Sequence, residues 1–159
     1  MTTIAWRDQT LAADRWANSG DVLRLTTKLR RLKDAQNKIW AVVAWVGTEA
    51  QGLTLADWYQ NGADPKDWPA FQQGEEWTRL IVMEQRRLGA GVSIFEFEKL
   101  PCALEVSQNN PHWAWGSGRE FALGAMGQGA SAVEAVEIAS AFDPFSGGGV
   151  DEYTFGVRL

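Results

Sequence analysis

The segment Ile39-Trp40-Ala41-Val42-Val43-Ala44-Trp45-Val46 limits the fold more than any other part of the chain. A strand with one wet face alternates between apolar and polar side chains. This one does not alternate, so both of its faces must be covered. A sheet on one side and a different layer on the other is the natural arrangement. Gly47 closes the segment. Residues Glu49–Gln60 follow with Leu53, Ala56 and Tyr59 at helical spacing, stopped by Asn61-Gly62.

The remaining elements fall around this strand. Residues 2–7 are rich in β-formers, Asp8-Gln9 is a turn, and Thr10–Asp14 is a second strand, so the chain opens with a hairpin. Asn18-Ser19-Gly20-Asp21 reads as a loop, and residues 25–32 alternate apolar with basic and read as one strand. Residues 64–74, with Pro65 and Pro69, form a loop or broken helix. Strands are expected over 77–84 and 91–98, joined through 86–90, with another near 98–106 and a short one at 113–115. Residues 121–126 are helical. Ser131-Ala132-Val133-Glu134 is a capping box that starts a helix ending at Asp143-Pro144. Residues 146–149 are a glycine loop and 150–157 a last strand. Strands, helix, strands, helices and strand in this order mean an α+β fold.

Composition narrows the functions. A chain of 159 residues is expected to form a single domain, 1–159, with a real core. A formal charge of −5 provides no broad positive field, which argues against nucleic acid as a partner. Neither an apolar leader core nor a spanning run of ~20 apolar residues occurs, so no membrane association is expected. The lone Cys102 permits no intrachain disulfide and fits a reducing cytoplasm. With one cysteine and one histidine, His112, an ordinary His/Cys metal cluster is excluded and Ser-His or Cys-His catalysis is weakened. No metal and no cofactor are expected. Nine tryptophans are read as core and subunit-interface residues, with Trp58, Trp68 and Trp77 as the interface candidates.

The N-terminus offers a different chemistry. If Met1 is removed, Thr2 carries a hydroxyl nucleophile and an α-amine on one residue, and the amine can act as the general base. An α-amino group titrates near pH 7.7–8.0, so about a tenth or more is neutral at pH 7 without any histidine. A small second residue such as Thr permits that removal. Met-Thr alone is a common beginning and carries little weight.

Further short motifs stand in a fixed succession. Thr2-Thr3-Ile4 is followed by Leu11-Ala12-Ala13-Asp14, then Lys28 in Lys28-Leu29-Arg30-Arg31-Leu32, then Gly47. Gly116-Ser117-Gly118 comes later, and Asp143-Pro144-Phe145-Ser146-Gly147-Gly148 last. Each has an ordinary explanation alone. Asp14 could be a turn former, Lys28 part of a solvated strand face, Ser117 a tight turn and Asp143-Pro144 a helix stop. Taken together, they resemble the proteasome β subunits and their bacterial relative, the HslV peptidase. The resemblance runs over most of the chain and is nearest to compact members of the phage or prophage type.

That resemblance implies an N-terminal-nucleophile hydrolase with a four-layer αββα sandwich. It implies Thr2 as nucleophile and its amine as base. Lys28 would stand beside them, where a nearby ammonium favours the neutral amine, and Asp14 would hold Lys28 in place. The Gly47 N–H would face the developing oxyanion. Ser117 would contact the Thr2 amine, supported from behind by Asp143 and Ser146. A peptide or unfolded-protein substrate would add as a strand along Asn18 and the segment from Gly47 to Glu49. Trp45, with Ala17 nearby, would line and partly fill the specificity pocket, favouring small or slender apolar side chains. A homo-oligomer, and an unfoldase partner, would follow.

Two departures from the family are visible. The central helical region has room for little more than one helix, which puts a stacked double ring in doubt. The intervals from Thr2 to Asp14 and from Asp14 to Lys28 are slightly short and ask for tight turns. A catalytically silent assembly subunit, and an amidase of a small molecule, are the competing readings.

Overall fold

The computed structural model describes residues 1–88 and 91–156. Its strands are β1 (Thr3–Arg7), β2 (Thr10–Asp14), β3 (Trp16–Ser19), β4 (Val22–Leu25), β5 (Leu29–Lys33), β6 (Ile39–Val46), β7 (Arg79–Gln85), β8 (Val92–Phe97), β9 (Leu104–Glu105), β10 (His112–Gly116) and β11 (Val150–Thr154). The helices are α1 (Glu49–Gln60), α2 (Arg119–Gly127) and α3 (Ala132–Phe142). One antiparallel sheet has the order β10-β1-β2-β11 and the other the order β5-β6-β7-β8-β9, while β3 and β4 form a separate hairpin.

Strand periodicity explains how the layers meet. Ile4, Trp6, Leu11 and Ala13 of the first sheet face Val42, Ala44, Ile81, Met83 and Ile94 of the second, forming one buried cluster. The opposite face of the first sheet carries Ala5, Ala12 and Ala114, which meet Ala122, Ala135 and Ala139 of α2 and α3. Small side chains on both partners let these helices lie close against the sheet. On the far side, Ala41, Val43, Leu80 and Val82 pack against Leu55, Ala56 and Trp58 of α1. Strand β6 therefore feeds two cores at once, which is why its sequence shows no alternation.

Two local signals act as read. Asp8 takes a positive φ of 55° in the turn of the opening hairpin. The capping box closes reciprocally: Glu134 N–H donates to Ser131 Oγ at 3.2 Å and Ser131 N–H to Glu134 Oε2 at 2.8 Å. Between β6 and β7 only α1 and two single 3₁₀ turns, Pro65–Asp67 and Ala70–Gln73, are present. The fully buried Gln72 ties this connection down, donating to Thr78 O and Glu98 O at 2.7 Å and accepting from Thr78 N–H at 2.9 Å.

Several expectations are corrected. Residues 25–32 do not form one strand. Leu25 ends β4 and is exposed, Leu29 begins β5 and is buried, and Thr26 N–H turns back to Arg15 O at 2.8 Å. The same apolar-basic alternation thus serves two different surfaces. The stretch 18–21 is not simply a loop, because Ser19 pairs with Val22 across Gly20-Asp21 in the β3–β4 hairpin. Of residues 98–106 only Leu104–Glu105 is strand. Trp58 is 6% exposed, in edge contact with Trp68 and Phe97, and belongs to the core rather than to an interface. The last strand ends at Thr154, short of the expected 150–157, with Phe155 and Gly156 outside it; residue 157 and residues 89–90 of the 86–90 connection lie outside the described residues. Among the described residues no helix is long and apolar enough to cross a membrane.

Candidate active site

Asp14 is the hinge of the site. It ends β2, is fully buried, and both of its oxygens are occupied. Oδ1 accepts the Thr3 N–H at 2.9 Å and the Lys28 ammonium at 2.7 Å. Oδ2 accepts the N–H groups of Gly147 at 3.1 Å and Trp16 at 3.3 Å. A buried carboxylate persists when it is paired and hydrogen-bonded in this way. One side chain thereby joins the start of β1, the β4–β5 connection and the glycine loop before β11.

Lys28 reaches it because the chain breaks between β4 and β5 and turns its side chain inward. Lys28 is buried, and its Nζ also donates to the Met1 carbonyl oxygen at 3.1 Å. Burial draws the Lys28 ammonium below its usual value, while Asp14 beside it and Asp143 farther away pull it back up. Its charge therefore stands one carbonyl group away from the Thr2 nitrogen.

A second network closes the other side. Asp143, at the end of α3, accepts hydrogen bonds from Ser117 Oγ and Ser146 Oγ, both at 2.6 Å to Oδ2. Ser146 spends its proton on Asp143, so the 2.7 Å contact between Thr3 Oγ1 and Ser146 Oγ is donated by Thr3. Burial alone would raise the Asp143 carboxyl. The hydroxyls of Ser117 and Ser146, the Phe145 N–H and the N-terminal charge outweigh it and hold it below the usual carboxylate range. Ser117 does not contact the Thr2 nitrogen in this form. Its N–H donates to the Thr2 carbonyl oxygen at 2.8 Å.

The glycines beside Ser117 are set by the same contacts. Gly116 has φ +93°, and a Cβ there would overlap the Thr2 carbonyl oxygen. A Cβ at Gly118 would overlap the buried Thr3 hydroxyl.

In front of Thr2 lies a cleft of about 250 Å³, lined among others by Ala17, Asn18, Trp45, Gly47 and Glu49. This is just below the usual size of ligand clefts, about 300–1,000 Å³. Trp45 is 4% exposed, and its ring lies so close to α1 that residue 52 must lack a side chain. Thr2 and Lys28 line this cleft together with Ala17, Asn18, Trp45, Gly47 and Glu49, while Asp14, Ser117, Asp143 and Ser146 belong to the networks behind Thr2. The cleft also contains Trp16, Arg24 and Thr26, and the inner network contains Thr3, none of which the sequence reading placed there. The Gly20-Asp21 pair between two β-forming runs was the available sign of the hairpin that brings Trp16 and Arg24 in. Among the described residues no group of His, Cys, Asp and Glu side chains is arranged to hold a metal ion.

No protein-family model and no curated protein sequence matches this chain. Solved structures do match across nearly its whole length. HslV from Trypanosoma brucei aligns with a TM-score of 0.66 at 19% identity, covering 96% of this chain and 97% of its own. BPH from Thiobacillus denitrificans, solved in complex with epoxomicin, aligns with a TM-score of 0.67 at 20% identity and 99% coverage of both. Anbu from Pseudomonas aeruginosa, solved as a helical assembly, aligns with a TM-score of 0.72 at 11% identity, covering 99% of this chain and 82% of its own. At these identities the likeness establishes a shared fold, the proteasome-like one.

Proposed function

We propose that this chain, once Met1 is removed, hydrolyses peptide amides with Thr2 as an N-terminal nucleophile. The three clusters described above are then the seams of a four-layer αββα sandwich. One observation carries the reading. The Lys28 ammonium is fixed by Asp14 at 2.7 Å and lies 3.1 Å from the oxygen of the Met1 carbonyl group, whose carbon is bonded to the Thr2 nitrogen. Removal of that carbonyl leaves the ammonium facing a free amine.

The steps follow from the residues. A fixed positive charge lowers the proton affinity of the Thr2 amine and keeps it neutral near pH 7–8. The amine takes the Thr2 hydroxyl proton as the oxygen attacks the amide carbon. The Gly47 N–H, at the mouth of the cleft, stabilises the oxyanion. The amine then gives its proton to the leaving nitrogen, and water hydrolyses the resulting ester. Asp14 keeps Lys28 charged, and Asp143 with Ser117 and Ser146 holds the Thr2 carbonyl group and the Thr3 hydroxyl. Trp45 restricts the cleft to small or slender side chains.

A silent assembly subunit is the second reading. With Met1 attached, the Thr2 nitrogen is an amide and cannot act as a base. The helical assembly of Anbu also supports self-association, and we propose a homo-oligomer under either reading.

Intact-mass measurement with and without an epoxyketone separates the two. An epoxyketone offers two electrophiles that a free 1,2-amino alcohol can satisfy together. The active reading expects loss of one methionine, one covalent adduct, and no adduct in Thr2→Ala. Full amidase activity from uniformly Met1-bearing protein would overturn it.

A further inference from the structure

The cleft holds an ion pair that the reaction does not use. Arg24 on β4 reaches across to Glu49 in the first turn of α1, its Nη2 on Glu49 Oε2. Thr26 Oγ1 donates to the other oxygen, Oε1, at 2.8 Å. Among the described residues lining the cleft, Glu49 is the one acid, and Lys28 is already held by Asp14. Both oxygens of Glu49 are therefore taken up by the facing wall.

We infer that Arg24 determines specificity here: by occupying Glu49 it denies the cleft a preference for cationic side chains, and its loss creates one. The inference rests on the nucleophile reading above. The pair is half exposed, with side chains 49% and 34% accessible. Such half-exposed pairs contribute little to stability, so anchoring the hairpin is not its main effect. Its effect on a ligand is larger. A tethered guanidinium competes with an incoming cation at an effective concentration of about millimolar or more. Thr26 is neutral and stays on Oε1, so in the absence of Arg24 it keeps Glu49 turned into the cleft with one oxygen open. The slender stem of a lysine fits beside the Trp45 wall, and its ammonium then meets Glu49. A charge with no partner at the rim is what discriminates between ligands of equal shape.

The test compares lysine with norleucine, its uncharged near-isostere, at the cleavage position of an acetylated tripeptide coumarylamide. In the processed wild-type chain the kcat/KM ratio of lysine to norleucine should stay within about threefold of one. In Arg24→Met it should rise about tenfold or more, and Glu49→Gln added to Arg24→Met should return it to the wild-type value. A second arm titrates acetylated tripeptide amides ending in lysine or norleucine into Thr2→Ala, with and without Arg24→Met, by calorimetry. The same shift in binding ratio is expected without turnover. A ratio that does not move in an active enzyme overturns the role of Arg24 and leaves the nucleophile standing. A binding shift without turnover in any Thr2-bearing form supports Arg24 and removes the nucleophile. Neither binding nor turnover overturns both.

Discussion

The two sides of Thr2 are built on opposite principles. Behind it, Asp14 and Ser146 are fully buried, Lys28 nearly so, and every oxygen of Asp14 is committed to an ammonium or a backbone N–H. In front, Arg24 and Glu49 meet as a half-exposed pair on the surface-exposed β4 and the first turn of α1. A buried charge costs several kcal/mol if it loses its partner, whereas an exposed pair costs about 1 kcal/mol or less. The difference teaches where each task can reside. Groups that must hold one geometry sit where changing partners is expensive. Groups that select among ligands sit where it is cheap.

Stability measurements can break this contrast. Asp14→Ala strands Lys28 in the interior and should cost about 3–5 kcal/mol in urea unfolding, with activity lost. A cost near that of a surface change would end the distinction. Gly118→Ala forces a methyl onto the Thr3 hydroxyl and should cost about 1–3 kcal/mol, read as a lower midpoint at unchanged slope.

The acid limb sharpens the comparison further. Asp143 is held below its ordinary value, so its contribution is complete above the unfolded-state value of 3.8 and is lost as pH falls through the lower folded value. Ser146→Ala removes one of the donors that hold it there, so in a midpoint-against-pH series the acid-dependent loss should still begin near the unfolded-state value but become smaller and end at a higher pH. Arg24→Ala should be the mildest change, about 1 kcal/mol or less, shrinking further as salt is raised. If Arg24→Ala rivalled Asp14→Ala in cost, the front of the cleft would be structural after all.

Parts of this organisation are plain in the residues. The doubly covered β6 shows as an unbroken apolar run, the capping box of α3 as Ser131 and Glu134, and the opening hairpin as two β-forming runs around Asp8-Gln9. The β4–β5 break is not visible, because Leu25 and Leu29 are the same residue type and differ only in what covers them. Trp58 is misplaced for a similar reason: a helix with weak amphipathic contrast does not reveal which aromatic turns inward. Thr3 looked like any β-forming residue, and only the approach of Ser146 from a distant turn makes it part of a polar network. The pair Arg24–Glu49 joins residues on separate elements, and no spacing rule connects them.

By itself, the amino-acid order determined the apolar periods, the caps and turns, and the presence of one hydroxyl nucleophile candidate with its own nitrogen. These depend on neighbours a few residues apart, where backbone geometry is set locally. Which carboxylate meets the lysine, which hydroxyls share Asp143, and which charge guards the cleft were decided only when two sheets closed face to face. Contacts between separate elements are governed by the packing of whole layers, and that information is spread through every side chain in the cores.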